Sequence, residues 1–303
     1  MRISRRTLQI GLGLLWLLDG ALQLQPFMFG KAFGRTELAA AGAGQPGIVS
    51  HPVHWAAQIV IAHPDLTNSA FAAIQLALGL GLLWRRSVRW TLIASIVWGS
   101  SVWFLGEGLG GLTTGETLLT GAPGAAILYA TIALFAFPDR TGDSSIAPSR
   151  WAVPAWSGLW VMGAGLQLAA GNNSGSSFAT MFSGAGSDAG GWIGHLDAHL
   201  SHLNIANAVV AAFIALEVLV AMWAFVAGAV QKASVVLGST IAVAAWLLVQ
   251  GLGDLTSGQA TDPNSGPLIV LLGLAALGAA SAWQNSVEVS ESLTVPREQG
   301  ALV

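Results

Sequence analysis

The sequence predicts an all-α polytopic membrane protein whose eight transmembrane helices form two parallel four-helix repeats about a pseudo-two-fold axis. Three observations carry that expectation. Charged residues make up 9% of the chain, against about 25% in an ordinary soluble domain. Hydrophobic residues reach 53% and come in long blocks. The chain also repeats itself: Glu107-Gly108-Leu109-Gly110-Gly111-Leu112-Thr113-Thr114-Gly115-Glu116 returns as Gln250-Gly251-Leu252-Gly253-Asp254-Leu255-Thr256-Ser257-Gly258-Gln259. Residues 14–24, with Trp16 and Gln23, return as 158–168, with Trp160 and Gln167, and 68–84 return as 207–223. A duplication this long reads as one unit copied and fused.

A hydrocarbon core about 30 Å thick needs roughly 20 apolar residues at 1.5 Å rise each. Eight segments meet that demand, near 7–25, 66–84, 88–106, 122–138, 152–170, 204–228, 232–250 and 266–283. Most lack the polar stripe of a soluble helix. The first repeat spans 1–138 and the second 154–286, joined by a polar, Pro-containing cytoplasmic linker at 139–153 and followed by a loosely ordered cytoplasmic tail from 287 to 303. Four spans per half make the copies parallel in topology.

Orientation follows from the basic residues. Arg2, Arg5 and Arg6 precede the first span, and Arg85, Arg86 and Arg89 lie between the second and third. Arg140 and Arg150 fall in the linker, Lys232 between the sixth and seventh spans, and Arg297 in the tail. With eight spans these share one side, so both termini are expected in the cytoplasm of a cell (inner or plasma) membrane, multi-pass. Lys31 and Arg35 lie in a long outer loop, where the rule is weak. Ser4-Arg5-Arg6 resembles a twin-arginine signal, but it reads better as a positive-inside anchor, because the following span has a match in the second half. No cysteine is present, which removes disulfides, thiolate metal sites and covalent c-type haem. The net charge of −3, with no basic cluster, points away from nucleic acid. The expected partner is the lipid bilayer, with other membrane subunits or a second copy left open.

The opening Leu12-Gly13-Leu14-Leu15-Trp16-Leu17-Leu18-Asp19-Gly20-Ala21-Leu22-Gln23, with four spans per unit, resembles the DoxX/DoxD-like four-helix membrane proteins. That resemblance implies the fold and, for some members, quinone-coupled sulfur oxidation.

Candidate chemistry falls into three groups. All six histidines lie in the two long outer loops. His51 aligns with His195 and His63 with His202, while His54 and His199 add one more to each half. His195, His199 and His202 share one helical face, and an unbroken helix would carry Glu217 onto that face about 22 Å below; His51 and His54, beside Pro52, read as loop. Imidazole suits copper and zinc, so the first expectation is a copper or zinc site on the outer face, serving redox or metal handling. Met28 and Met181 lie in the same loops. The second group is intramembrane: Asp19 and Glu217, with Gln23, Gln75 and Gln167. A mid-bilayer carboxylate costs at least about 2.5 kcal/mol on insertion scales and turns inward. It fits a proton relay, a quinone contact or interhelical bonding. The third is the Gly-rich outer motif, with Glu107 or Asp254 as accessory ligands. Open alternatives are a quinone- or haem-linked electron-transfer subunit, a proton-coupled small-solute transporter with Asp19 and Glu217 as coupling carboxylates, and a non-catalytic subunit.

Overall fold

The computed structural model describes residues 3–169, 171–182 and 191–294, and among the described residues the regular structure is all helical, with no strand. Eleven helices position the site: α1 (Arg5–Leu22), α2 (Gly47–Ala62), α3 (Pro64–Leu83), α4 (Val88–Leu105), α5 (Ala125–Phe135), α6 (Ala152–Leu168), α7 (Gly175–Thr180), α8 (Gly191–Ser201), α9 (Asn207–Trp223), α10 (Ala229–Leu248) and α11 (Ser265–Thr294). Four stretches are long and apolar enough to cross a membrane: α3, α4, α10 and residues 265–282 of α11. Helices α5 and α9 are apolar but shorter. In α1, the same length of chain carries Arg5, Arg6 and Asp19.

Each expected span has a helix at its centre, yet the boundaries differ for physical reasons. The expected span at 122–138 becomes an 11-residue helix. Gly121 and Gly124, both at positive φ, bracket Pro123 at its start, and Pro138 follows its end. The first outer loop is less irregular than expected. His51 and His54 sit on α2, which continues through Pro52, so their reading as loop residues is corrected. The unbroken helix from His195 to Glu217 is also corrected. Helix α8 stops at Ser201, and the chain extends at Ala206 before α9 begins. That break is held by tertiary contact. The Asn207 Oδ1 accepts from the Gly175 N–H at 2.8 Å, and a Cβ on Gly175 would collide with the Ile205 carbonyl. Finally, α11 runs on to Thr294, past the expected start of the tail. Arg297 lies outside the described residues.

The helices pack as two bundles. In the first, α1 packs on α3, α3 on α4, α4 on α5, and α5 back on α1. In the second, α6 packs on α9, α9 on α10, α10 on α11, and α11 back on α6. Contacts of α11 with α5 and α1 join them, and one apolar core runs through both, from Leu8, Leu12 and Trp16 to Leu268, Leu272 and Ala275.

Backbone polar groups at helix ends find partners across the chain. Ser4 and Thr7 form a reciprocal capping box at the start of α1. The Arg6 guanidinium donates to the Leu82 and Leu83 carbonyls at 2.9 and 2.6 Å, the negative end of α3. Arg5 donates to the Phe137 carbonyl at 2.6 Å and the Ala147 carbonyl at 2.9 Å, fastening the linker. The arginine pair is thus part of the packed structure.

Glycines set how closely helices approach. A Cβ on Gly79 would stand 2.8 Å from the Gly13 carbonyl and 2.5 Å from Leu17 Cγ, so α1 and α3 touch backbone to backbone. Gly79→Val should lower stability by about 1–3 kcal/mol through overpacking. A fall in the unfolding midpoint of the purified protein, with no such fall for Gly165→Ala in open space, is the expected outcome.

Candidate functional site

The Gly-rich outer motifs shape the mouth of the site. Gly108, Leu109 and Gly110 are all left-handed, as are Gly251, Leu252 and Gly253. The requirement for glycine is steric at Gly110, where a Cβ would overlap the Pro123 carbonyl. These turns bring the residues before them, Glu107 and its counterpart Gln250, to the starts of α5 and α11. Glu107 Oε1 accepts from the Ala126 N–H at 3.0 Å. Gln250 Nε2 donates to the Leu119 carbonyl at 3.0 Å and to Ser265 Oγ at 3.1 Å.

Two connected cavities lie beneath. The outer one, a vestibule of about 540 Å³, is polar and bordered by Glu37, Glu107, Glu116, Asp254 and Asp262. The inner one, about 410 Å³, sits between α1, α2, α3, α4 and α5 and is mostly apolar. Glu37, Glu107, Thr261 and Asp262 border both, so they form the neck. Among the described residues, no lysine, arginine or histidine lines either cavity.

The inner wall is aromatic and fixed. Trp16 stacks on Tyr129 with ring centroids 4.0 Å apart, and its Nε1 donates to Ser95 Oγ at 2.9 Å. Phe71 and Trp98 pack at 5.6 Å. Against this wall stand four buried polar atoms with no hydrogen-bond partner, Gln23 Oε1, Gln75 Oε1, Trp98 Nε1 and Glu107 Oε2, together with Asp19 and Tyr129, which face each other. Asp19 is 1% exposed. Its carboxyl and the Tyr129 hydroxyl lie close enough to act on each other.

At the neck, burial and the nearby Asp262 push the Glu107 carboxyl up to about 8, against partial relief from the Ala126 and Ala125 N–H groups. Burial also raises Asp262, while Thr261 and the Asn264 N–H oppose it.

The structure divides the residues singled out from sequence. Asp19, Glu107 and Asp254 come together along one cavity system. The histidines do not join them. His51 and His54 lie on α2, His63 at the α2–α3 junction, His195 and His199 on α8, and His202 just beyond it, and all six are exposed. Among the described residues, no group of three or more His, Asp or Glu side chains is placed to hold a metal ion. Glu217, 1% exposed, lies in the second bundle, facing Gly163, whose Cβ would stand 2.7 Å from Glu217 Oε1. In the internal alignment Gly163 is the counterpart of Asp19. In the second bundle the buried carboxyl stands on α9, facing α6.

Tyr129, Trp98 and Asp262 escaped the sequence reading. Tyr129 left one signal, as the chain's single tyrosine set in an apolar run. Asp262 left none, because it belongs to the opposite repeat from the cavity it borders. No family model, no curated protein and no solved structure matches this chain.

The Glu107 carboxyl gives a pH dependence with a definite sign. Its folded value of about 8 lies above its ordinary value of 4.5, so the folded state holds the extra proton between those limits, and stability falls as pH rises from about 4.5 to 8. Glu107→Gln keeps the shape and removes the charge, as Gln250 does in the second repeat. The variant should match the wild type near pH 4 and exceed it by on the order of 1–2 kcal/mol above pH 8, measured as unfolding midpoints across that range.

Proposed function

We propose that this chain is an eight-span integral membrane protein of the cell membrane, both termini cytoplasmic, that takes a small solute into the first-repeat cavity from the outer face. Binding is linked to protonation of buried carboxyls, which makes the protein a proton-linked small-solute transporter. One observation carries the reading: four buried, unpartnered polar atoms and the facing Asp19–Tyr129 pair belong to residues bordering a single cavity. A buried polar group left unpaired costs about 1–3 kcal/mol. Four around one space, beside a buried carboxyl, form a surface that a ligand completes.

The proton link follows from the sequence of acids. Asp262 and Glu107 stand at the neck and Asp19 beyond it, each carboxyl acting electrostatically on the next, with Tyr129 as the hydroxyl facing Asp19. A proton held at Asp19 thus has titratable neighbours leading toward the vestibule. Asp19 is the coupling carboxyl. Glu217 is the buried carboxyl of the second repeat.

Paired features support the two-repeat, eight-span arrangement. Trp103 Nε1 donates to the Pro123 carbonyl at 2.7 Å and Trp246 Nε1 to the Pro263 carbonyl at 2.6 Å. Leu109 and Leu252, counterparts in the Gly-rich motif, share φ near +62°. The order of helix pairing is also the same in both bundles. The histidines carry no part of this reading.

Two measurements test it. In proteoliposomes, a mass-spectrometric panel of amines, carboxylic acids, sugars and quinones should contain a solute whose uptake requires a pH gradient. That uptake should fall at least tenfold in Asp19→Asn; no gradient-dependent uptake of any class would sink the transport reading. Topology is testable cleanly because the chain has no cysteine. In intact cells, a membrane-impermeant maleimide should label Thr36→Cys. It should label Thr141→Cys only after permeabilisation, and labelling of both from outside would refute the eight-span arrangement.

A further inference from the structure

The class of solute can be read from what surrounds the cavity. Five acids border the vestibule, and no basic side chain among the described residues borders either chamber. A low-dielectric cleft lined by one sign of charge concentrates the opposite sign and repels its own. An anionic solute would meet these acids with nothing to pair with. A sugar would need hydrogen bonds along its whole perimeter, whereas the inner wall is largely Trp, Phe, Leu, Ile and Val. A bare metal ion would need several oxygen ligands converging on one point, and no such group exists among the described residues.

What remains complementary is a body of apolar surface bearing one positive charge. Asp19 is almost wholly buried and faces only the Tyr129 hydroxyl, with no basic side chain among the described residues bordering the chamber, so a cation brought to it supplies the missing opposite charge. Beside it, the indole of Trp16 is stacked on Tyr129 and anchored by Ser95, leaving no rotational freedom to be lost on binding. Aromatic faces attract ammonium groups, by about 2 kcal/mol or more when desolvated. Phe71 and Trp98, packed on each other, offer apolar surface for the rest of the molecule.

We propose that the inner cavity binds an amphipathic organic cation, an ammonium compound with an aromatic or branched aliphatic body, its charged head at Asp19 beside the Trp16–Tyr129 stack and its body against Phe71 and Trp98. This assignment rests on the transport reading for the site's role, and names the substrate class of that site. The acids bordering the vestibule draw the cation inward, and protonation of Asp19 releases it.

The experiment uses the full chain purified in neutral detergent, with benzyltrimethylammonium as probe and neopentylbenzene, its uncharged carbon isostere, as control, both followed by calorimetry. The cation should bind once per chain and at least tenfold more tightly than the isostere. Asp19→Asn should weaken cation binding at least tenfold and leave the isostere unchanged. Asp262→Asn, on a loop outside the helix packing, should weaken the cation severalfold and serves if the Asp19 variant does not fold. Equal affinity for the isostere, or cation binding indifferent to both substitutions, overturns the proposal. Its failure is separable from that of the transport reading. Gradient-driven uptake of a neutral solute would end the cation assignment and leave transport standing; stoichiometric cation binding with no gradient-driven uptake would end transport and leave the cation site.

Discussion

The structure depends on one constraint: a polar group buried among apolar helices must find a partner within the protein. Most of the irregular features answer it. The two arginines at the start of α1 end on carbonyls of α3, the α5 terminus and the linker. Trp16 ends on Ser95, Trp156 on Ser234, and Trp103 and Trp246 on proline carbonyls. Buried Gln9 donates to the Ala136 carbonyl and Ser144. Where pairing is this thorough, its failure is informative. The unpaired atoms are concentrated around the first-bundle cavity, with Trp160, Gln167 and Glu217 as a smaller set in the second bundle.

The two halves differ around that constraint in a way their shared residues do not reveal. Both keep the tryptophan and the glutamine that flank the acid position on the first helix of the repeat. Only the first keeps the acid. In the second, glycine replaces Asp19, and Glu217 enters the space from the neighbouring helix while Leu118 of the first repeat packs on the same glycine. A carboxyl delivered from a different helix approaches the site along a different direction. One fold thus holds two buried carboxyls, one beside an open chamber and the other against a leucine.

This explains which parts were legible in the sequence. The eight apolar segments, the Gly-rich turns and the burial of Asp19 and Glu217 follow from composition, φ requirements and the cost of charge in an apolar medium. All of these are local, and α1, the two left-handed turns and the 1% exposures of both acids answer to them. The three-histidine face was also local, and α8 does contain His195 and His199. The continuation to Glu217 was not local, because Gly175 and Asn207 fix a break that no helical periodicity encodes. The cavity itself was least legible. Its wall draws Trp98 from α4, Tyr129 from α5 and Asp262 from the other repeat, and no spacing rule relates those positions.

The contribution of Asp262 bears on how the site works. The outer segment after each Gly-rich motif crosses to the opposite bundle. The Ala260 carbonyl accepts from Gln25 at the end of α1, and the Gly115 carbonyl accepts from Asn172 beyond the end of α6. Leu119 likewise packs with Phe178 and Val210 of the second bundle. The end of each bundle next to its Gly-rich motif is therefore covered by a segment belonging to the other half. The neck of the first-repeat cavity has Glu37 and Glu107 on one side and Thr261 and Asp262 on the other, so its width is set by how the two bundles sit against each other. A change at the α5–α11 contact that shifts one bundle relative to the other moves Asp262 relative to Glu107. The neck of the first-bundle cavity is thus a boundary that neither bundle forms alone.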